Sequence, residues 1–447
     1  MTTNFTKPSV LKTLAVRGLA NTAASRPIPV GGSAEYQVNS SVLPNKLTVA
    51  SAENGSLISR VSVVFRAGSR YESNDSLGAV HVLRIAAGLT TNSASQFAII
   101  RNIQQVGATL SCSVDRETVA YTLEGTRNAV KSTLPFLKAV AVEQSFRPWE
   151  ISDNIPRLKL ELATRPPQLR AIDLLHKAAY HSRGLGHSIY IAKHNLNKIS
   201  AETLQYHVKQ NFLAGRCAVV GLGVDHRELV DFAESLNLVG SGDADKPSEY
   251  KGGEIRSDKG GNYAHVAVAG AGVGLKNLKE ALAFAVLQRV LGAGTYIKYA
   301  NESNSPFAKL IPKDSVANSI KAFNVSYSDS GLFGALISAK SEQAGSLVEG
   351  VIKILKQGDI SSADFERGKQ QTKTAILLAY ESGSNGIIEL GNNTILLGSA
   401  VNPSEILNAL EGITQSDVNS AAKKISKSKL SIASVGNLSS VPFLDEM

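Results

Sequence analysis

Few residues of this chain have the type and spacing to do chemistry, and most of those are histidines. There are eight histidines and two cysteines in 447 residues. A hydrolytic zinc needs three protein ligands and an open position. A helix supplies two ligands most simply as histidines at i and i+4, which share one face. His81 lies in Leu77-Gly78-Ala79-Val80-His81-Val82-Leu83-Arg84-Ile85, with an arginine at i+3 and an isoleucine at i+4. A lone histidine among apolar neighbours reads as a hydrogen-bonded structural residue, and Arg84 as a partner for a carboxylate or for solvent. His176, His181, His187 and His194 are spaced by five, six and seven residues and interrupted by Gly184-Leu185-Gly186. None of these spacings gives a same-face pair, so they predict no metal site. Cys112 and Cys217 stand far apart in apolar, strand-like runs, which predicts two buried thiols rather than a disulfide or a cysteine zinc site. Gly292-Ala293-Gly294 lacks the Gly-Lys-Ser/Thr ending of a phosphate-binding loop.

Strands and helices alternate around these residues. Strand signals fall at Leu47–Ala50 and Ile58–Phe65, and helical patterns at about 76–90 and 96–106. Leu110–Val114 and Thr118–Leu123 flank Asp115-Arg116-Glu117 as a hairpin. Helices dominate 127–212, broken by Pro148, Pro156 and Pro166-Pro167. A strand at Cys217–Leu222 and a helix near 225–237 close the first half. The segment 240–261, rich in Gly, Ser, Asp and Lys, reads as a linker. The order then recurs: a strand at His265–Ala271, a helix at 276–291, and a hairpin of Ala322–Tyr327 and Leu332–Ser338 turning at Ser328-Asp329-Ser330-Gly331. Helices over 342–426 and a strand at Leu430–Val435 complete it. Ile199-Ser200, Leu204 and Lys209 match Ile413-Thr414, Val418 and Lys423 at an offset of 214. The pattern predicts an α+β fold of two similar domains, 31–239 and 262–447, each a mixed or antiparallel sheet packed with helices, joined by the linker 240–261.

Composition narrows the function classes. With 43% hydrophobic and 19% charged residues the chain can build sizeable cores. Its apolar run Tyr263–Leu275 is too short to span a bilayer. Residues 1–30 contain Lys7, Lys12, Arg17 and Arg26, many hydroxyl side chains and no acid. This is the pattern of a mitochondrial transit peptide. Setting those four cations aside lowers the formal net charge from +9 to +5. The remaining Lys and Arg are dispersed without interleaved aromatics, which disfavours nucleic-acid binding.

Gly68-Ser69-Arg70-Tyr71-Glu72 followed by the helix that opens at Leu77 resembles the entry signature of the M16 peptidase family. That family includes the mitochondrial processing peptidase, pitrilysin-like enzymes and the core proteins of the cytochrome bc1 complex. Segments 77–86, 218–224, 251–256, 290–294, 323–334, 436–438 and 442–446 are similar to the core-protein branch. Active members carry His-x-x-Glu-His, two zinc ligands with a general base between them, and a distal Glu about 77 residues on, the family's third zinc ligand. His81 matches the first histidine. Arg84 stands at the base and Ile85 at the second histidine, while Leu162 falls at the distal position with Glu161 one residue off. A guanidinium stays charged at working pH and cannot act as a base. At about 4 Å from a dication, with an effective dielectric of ~20, it costs on the order of 8 kcal/mol.

The resemblance therefore implies no catalytic residue, no metal and no cofactor. It implies a half-shell of two homologous domains that serves as a structural subunit of respiratory complex III. The implied partners are core protein 1, cytochrome b, cytochrome c1 and the Rieske protein, on the matrix side of the mitochondrial inner membrane, with membrane contact only through them. The alternative is a non-catalytic processing-peptidase subunit that binds presequences. The short sequence after Gly292, with Thr295-Tyr296-Ile297-Lys298, departs from the long glycine-rich loop of that subunit. An active peptidase is disfavoured by Arg84 and Ile85. Residual presequence cleavage by a paired core complex stays open.

Overall fold

The computed structural model describes residues 37–242, 244–294, 305–312 and 318–446. The expected transit peptide 1–30 and Thr295–Lys298 lie outside the described residues.

Two sheets form the framework. The first contains β1 (Gln37–Val42), β2 (Thr48–Glu53), β3 (Ile58–Phe65), β4 (Thr109–Val114), β5 (Val119–Thr126) and β6 (Cys217–Leu222), in the spatial order β1-β2-β6-β3-β5-β4. Only β2 and β6 run parallel; the other neighbours are antiparallel. The second contains β7 (Gly253–Asp258), β8 (Tyr263–Ala271), β9 (Ser319–Ser326), β10 (Gly331–Lys340) and β11 (Ser431–Gly436), in the order β7-β11-β8-β10-β9. Here β7 and β11 make the parallel pair, and the rest is antiparallel. Without β1, the two sheets have the same topology. β6 and β11 begin 214 residues apart, as do the helices Ala201–Asn211 and Gln415–Lys427 that precede them, so the internal repeat seen in sequence is a repeat of structure.

Two strands differ from the sequence expectation. β7 lies inside the segment expected to be a linker, and it is the counterpart of β2 in the second sheet. Its Gly-Glu-Ile-Arg-Ser-Asp sequence carries no apolar alternation because it is a half-buried edge strand. β1 is polar and largely exposed for the same reason.

The halves exchange helices. Helix Pro167–Tyr180 belongs to the first half but packs on the second sheet, where Ala171, Leu175 and Ala179 meet Ala267, Ala269, Ala433 and Val435. Small residues on both faces let helix and sheet approach closely. Helix Gly383–Leu397 of the second half covers the first sheet, with Ile387 and Leu390 against Ala50, Val64, Val220 and Leu222. Each sheet thus has its own helices on one face and one borrowed helix on the other. Burying a large apolar side chain contributes about 1.5–3 kcal/mol, so each half stabilises its neighbour by several such terms.

Candidate functional site

Helix Ala79–Ala86 starts after Gly78, which has a φ of 99°. Its first N–H groups are capped from the preceding motif: Gly78 and Val80 donate to the two Glu72 carboxylate oxygens at 3.0 and 2.8 Å. Burial nevertheless pushes the Glu72 carboxyl up to about 8. Gly68 runs under the β4–β5 hairpin tip, where a Cβ would lie 2.4 Å from the carbonyl of Arg116. No larger residue fits there. The chain is also held from the opposite side by His207, whose Nε2–H donates to the Ala67 carbonyl at 3.0 Å.

Burial keeps His207 neutral, holding its pKa down to about 4 against 6.5. The unfolded chain therefore takes up a proton that the folded chain refuses, and stability falls as pH drops from 6.5 to about 4. Near 1.36 kcal/mol per unit this amounts to about 3 kcal/mol. His207→Gln is expected to flatten the acid limb of a urea-midpoint-versus-pH curve. An unchanged slope would show that His207 does not carry it.

Helix Ala79–Ala86 is buried except for Arg84. His81 and Ile85 both turn inward, but Ile85 enters the apolar cluster of Leu83, Leu158, Ile191 and Leu204. His81 accepts the Ile191 N–H on Nδ1 at 3.3 Å, so its proton sits on Nε2 and is donated to Glu161 Oε2 at 3.1 Å. The imidazole nitrogen aimed at the acid is therefore occupied by hydrogen. Burial, joined by the Arg84 charge, lowers the His81 pKa even though the Glu161 hydrogen bond raises it. The ring also meets Tyr190 edge-on at 5.4 Å, and Arg165 lies over Tyr190 at 4.5 Å.

Glu161 is the acid of the site. It sits on helix Ile155–Thr164 and accepts a charge-assisted hydrogen bond from Arg84 on the same oxygen that His81 uses. Arg157, one turn before it, approaches its other oxygen at 3.8 Å. Burial raises the Glu161 pKa, but the His81 hydrogen bond and the Arg84 charge outweigh it and hold the carboxyl below its usual range. Counting along the sequence puts Leu162 at the distal position and Glu161 one residue off; in the fold it is Glu161 that meets His81. Leu162 packs beside the apolar cluster, and the helix turns Glu161 towards His81. What remains is a histidine and a carboxylate facing one another, with a guanidinium sharing the carboxylate between them.

The other candidates do not converge. His176 is buried, donating from Nδ1 to the Ile172 carbonyl at 2.7 Å and accepting the Tyr327 hydroxyl at 2.8 Å. His187 donates to the Ser69 carbonyl at 3.0 Å. His181 and His194 are exposed. Cys217 is buried and Cys112 half-buried, and both are free thiols. Gly292 ends a helix with a φ of 119°, and its carbonyl accepts the Ala322 N–H at 2.8 Å. Among the described residues no three His, Cys, Asp or Glu side chains are grouped to hold a metal.

A second polar cluster was not legible in sequence. Arg70, in the signature run, crosses to the second half and makes a bidentate pair with Asp329 at 2.7 and 2.6 Å. It also binds Glu117 at 2.9 Å and the Lys246 carbonyl at 2.7 Å. Glu117 accepts the Ser328 hydroxyl at 2.6 Å and its N–H at 3.0 Å, while Asp329 accepts the Ser248 N–H at 2.8 Å. The turn at Asp329, expected to be no more than a hairpin signal, is half of an interdomain clasp.

Comparison with known proteins follows the same outline. Residues 48–193 match the model for insulinase (peptidase family M16), and residues 198–372 match that for the peptidase M16 inactive domain. The chain is 39% identical over 413 residues to the mouse cytochrome b-c1 complex subunit 2, mitochondrial, covering 91% of each chain. The human counterpart is 38% identical over the same length. The mitochondrial-processing peptidase subunit alpha of Solanum tuberosum is 26% identical over 418 residues, covering 90% of this chain and 82% of the relative. In structure, a chain of the Inz-5-bound complex III2 from Candida albicans superposes with a TM-score of 0.77 at 18% identity, covering 91% of this chain and 98% of that one.

Proposed function

The chain belongs to the M16 peptidase family, and from that premise we propose that it is a non-catalytic structural and assembly subunit of mitochondrial respiratory complex III, ubiquinol–cytochrome c reductase. The observation that carries this reading is the Arg84–Glu161 pair beside a protonated His81 Nε2. It puts a fixed cation and a blocked ligand where a peptidase needs a metal and a base. The chain therefore serves by its surface and rigidity, while ubiquinol oxidation and electron transfer to cytochrome c belong to other subunits. The similarity to cytochrome b-c1 complex subunit 2 over 91% of the chain supports the same reading.

Its partners are then core protein 1, cytochrome b, cytochrome c1 and the Rieske protein. No helix of the described residues is long and apolar enough to cross a membrane. Its place is the matrix face of the inner membrane, reached through those partners, with residues 1–30 as the import leader. Native gel electrophoresis of detergent-extracted mitochondria is expected to show the chain migrating with these subunits, identified by mass spectrometry. Migration in the matrix supernatant with a catalytic M16 partner would instead support the second reading, a presequence-binding subunit of a processing peptidase. The 26% identity to a processing-peptidase subunit alpha favours that reading, and the short segment after Gly292 opposes it.

A further inference from the structure

Where the halves meet, the fold leaves a cavity of ≈ 940 Å³. Its walls come from Arg70–Asn74, from the turn after helix Pro167–Tyr180, from Arg216, and from the interdomain crossing at Ala244–Glu249 and Lys251. This size lies within the range of about 300–1,000 Å³ typical of small-molecule sites. The charges on its walls are unbalanced. Asp245 is already shared by Arg66 and by Arg216, the latter at 3.2 Å. Arg70 is used by Glu117 and Asp329, and Glu72 faces its own helix through the Gly78 and Val80 N–H groups. That leaves Arg183, Lys246 and Lys251, which line the cavity and make no ion pair among the described residues. One exposed carboxylate, Glu249, opposes them. Arg183 is presented by a turn that holds His181 at a φ of 58°.

We propose that this interdomain cavity binds a small, multiply charged phosphate anion, with Arg183, Lys246 and Lys251 as its counter-charges. A guanidinium fork with two ammonium groups supplies many donors and no acceptor, which suits a phosphate chain rather than a neutral metabolite. An acidic peptide fits less well. None of the lining residues belongs to a strand edge that a peptide could extend. Tyr71 and Tyr180 both have their hydroxyls engaged.

The test is calorimetric titration of the full chain with inorganic tripolyphosphate at constant ionic strength. The native protein is expected to bind, and the variant Arg183→Gln/Lys251→Gln to bind at least about tenfold more weakly, the loss of ~1.4 kcal/mol. Lys131→Gln, which removes an exposed cation paired with Glu228, is expected to leave binding unchanged. Thermal unfolding of each variant verifies that these exposed substitutions leave the fold intact. The proposal is overturned by absence of tripolyphosphate binding, by equal binding in native and double-variant protein, or by binding of a polyglutamate peptide alone.

Discussion

Arg70→Ala is expected to destabilise the protein by about 3–5 kcal/mol, the usual consequence of removing one partner from a buried charge pair. The Arg70 side chain is 4% exposed, Glu117 0% and Asp329 18%. Removing the guanidinium leaves two buried carboxylates without the cation they share, Glu117 still accepting from Ser328 and Asp329 from the Ser248 N–H. Arg70→Lys is expected to recover only part of the loss, because a point charge cannot reproduce the bidentate pair with Asp329 while also reaching Glu117 and the Lys246 carbonyl. Arg70→Ala/Asp329→Ala is expected to be less unstable than the sum of its single changes, since it removes a buried cation and anion together. The readout is the urea midpoint. A midpoint for Arg70→Ala within about 0.5 kcal/mol of native, the range of ordinary surface changes, would show that the clasp does not hold the halves together.

The second large effect is a gain. Arg84→Glu/Ile85→His restores the peptidase pattern on helix Ala79–Ala86, with Glu161 of helix Ile155–Thr164 already facing His81. His81 and Glu161 sit 3.1 Å apart through hydrogen, and removal of Arg84 frees the oxygen it holds. A new imidazole one turn after His81 lies on the same helix face and completes three protein ligands. The variant is expected to take up one zinc per chain with an affinity tighter than about 1 µM, roughly −8 kcal/mol. Ile85 is 3% exposed in an apolar cluster, so part of the metal's binding energy offsets the burial of a polar ring. Arg84→Glu alone has two ligands and is expected to bind far more weakly. A folded double variant without zinc would mean that Glu161 cannot turn to a metal as the geometry implies.

Much of the fold was legible because it is written in local periods. The β4–β5 and β9–β10 hairpins, β3, β6 and β8 all follow apolar runs closed by turn residues, and the 214-residue echo at the ends of the halves marked the duplication. β1 and β7 escaped because edge strands need no apolar alternation. The exchange of helices Pro167–Tyr180 and Gly383–Leu397 escaped for another reason: an amphipathic helix declares that it has a buried face, but not which sheet receives it.

The site was legible to the same depth. His81, Arg84 and Ile85 stand within one helical turn, and their types alone argued against a hydrolytic metal. Glu161 was misjudged by counting, since one residue of register rotates a helical side chain by about 100°. The pair Arg70–Asp329 spans 259 positions, and no local pattern announces a contact at that separation.

The most direct test is the metal content of the native full chain after equilibration with micromolar zinc and removal of free metal. With Arg84 on Glu161 and the His81 proton on Nε2, zinc bound at this site should be negligible and unchanged by His81→Ala. One firmly held zinc per chain that disappears in His81→Ala would contradict it.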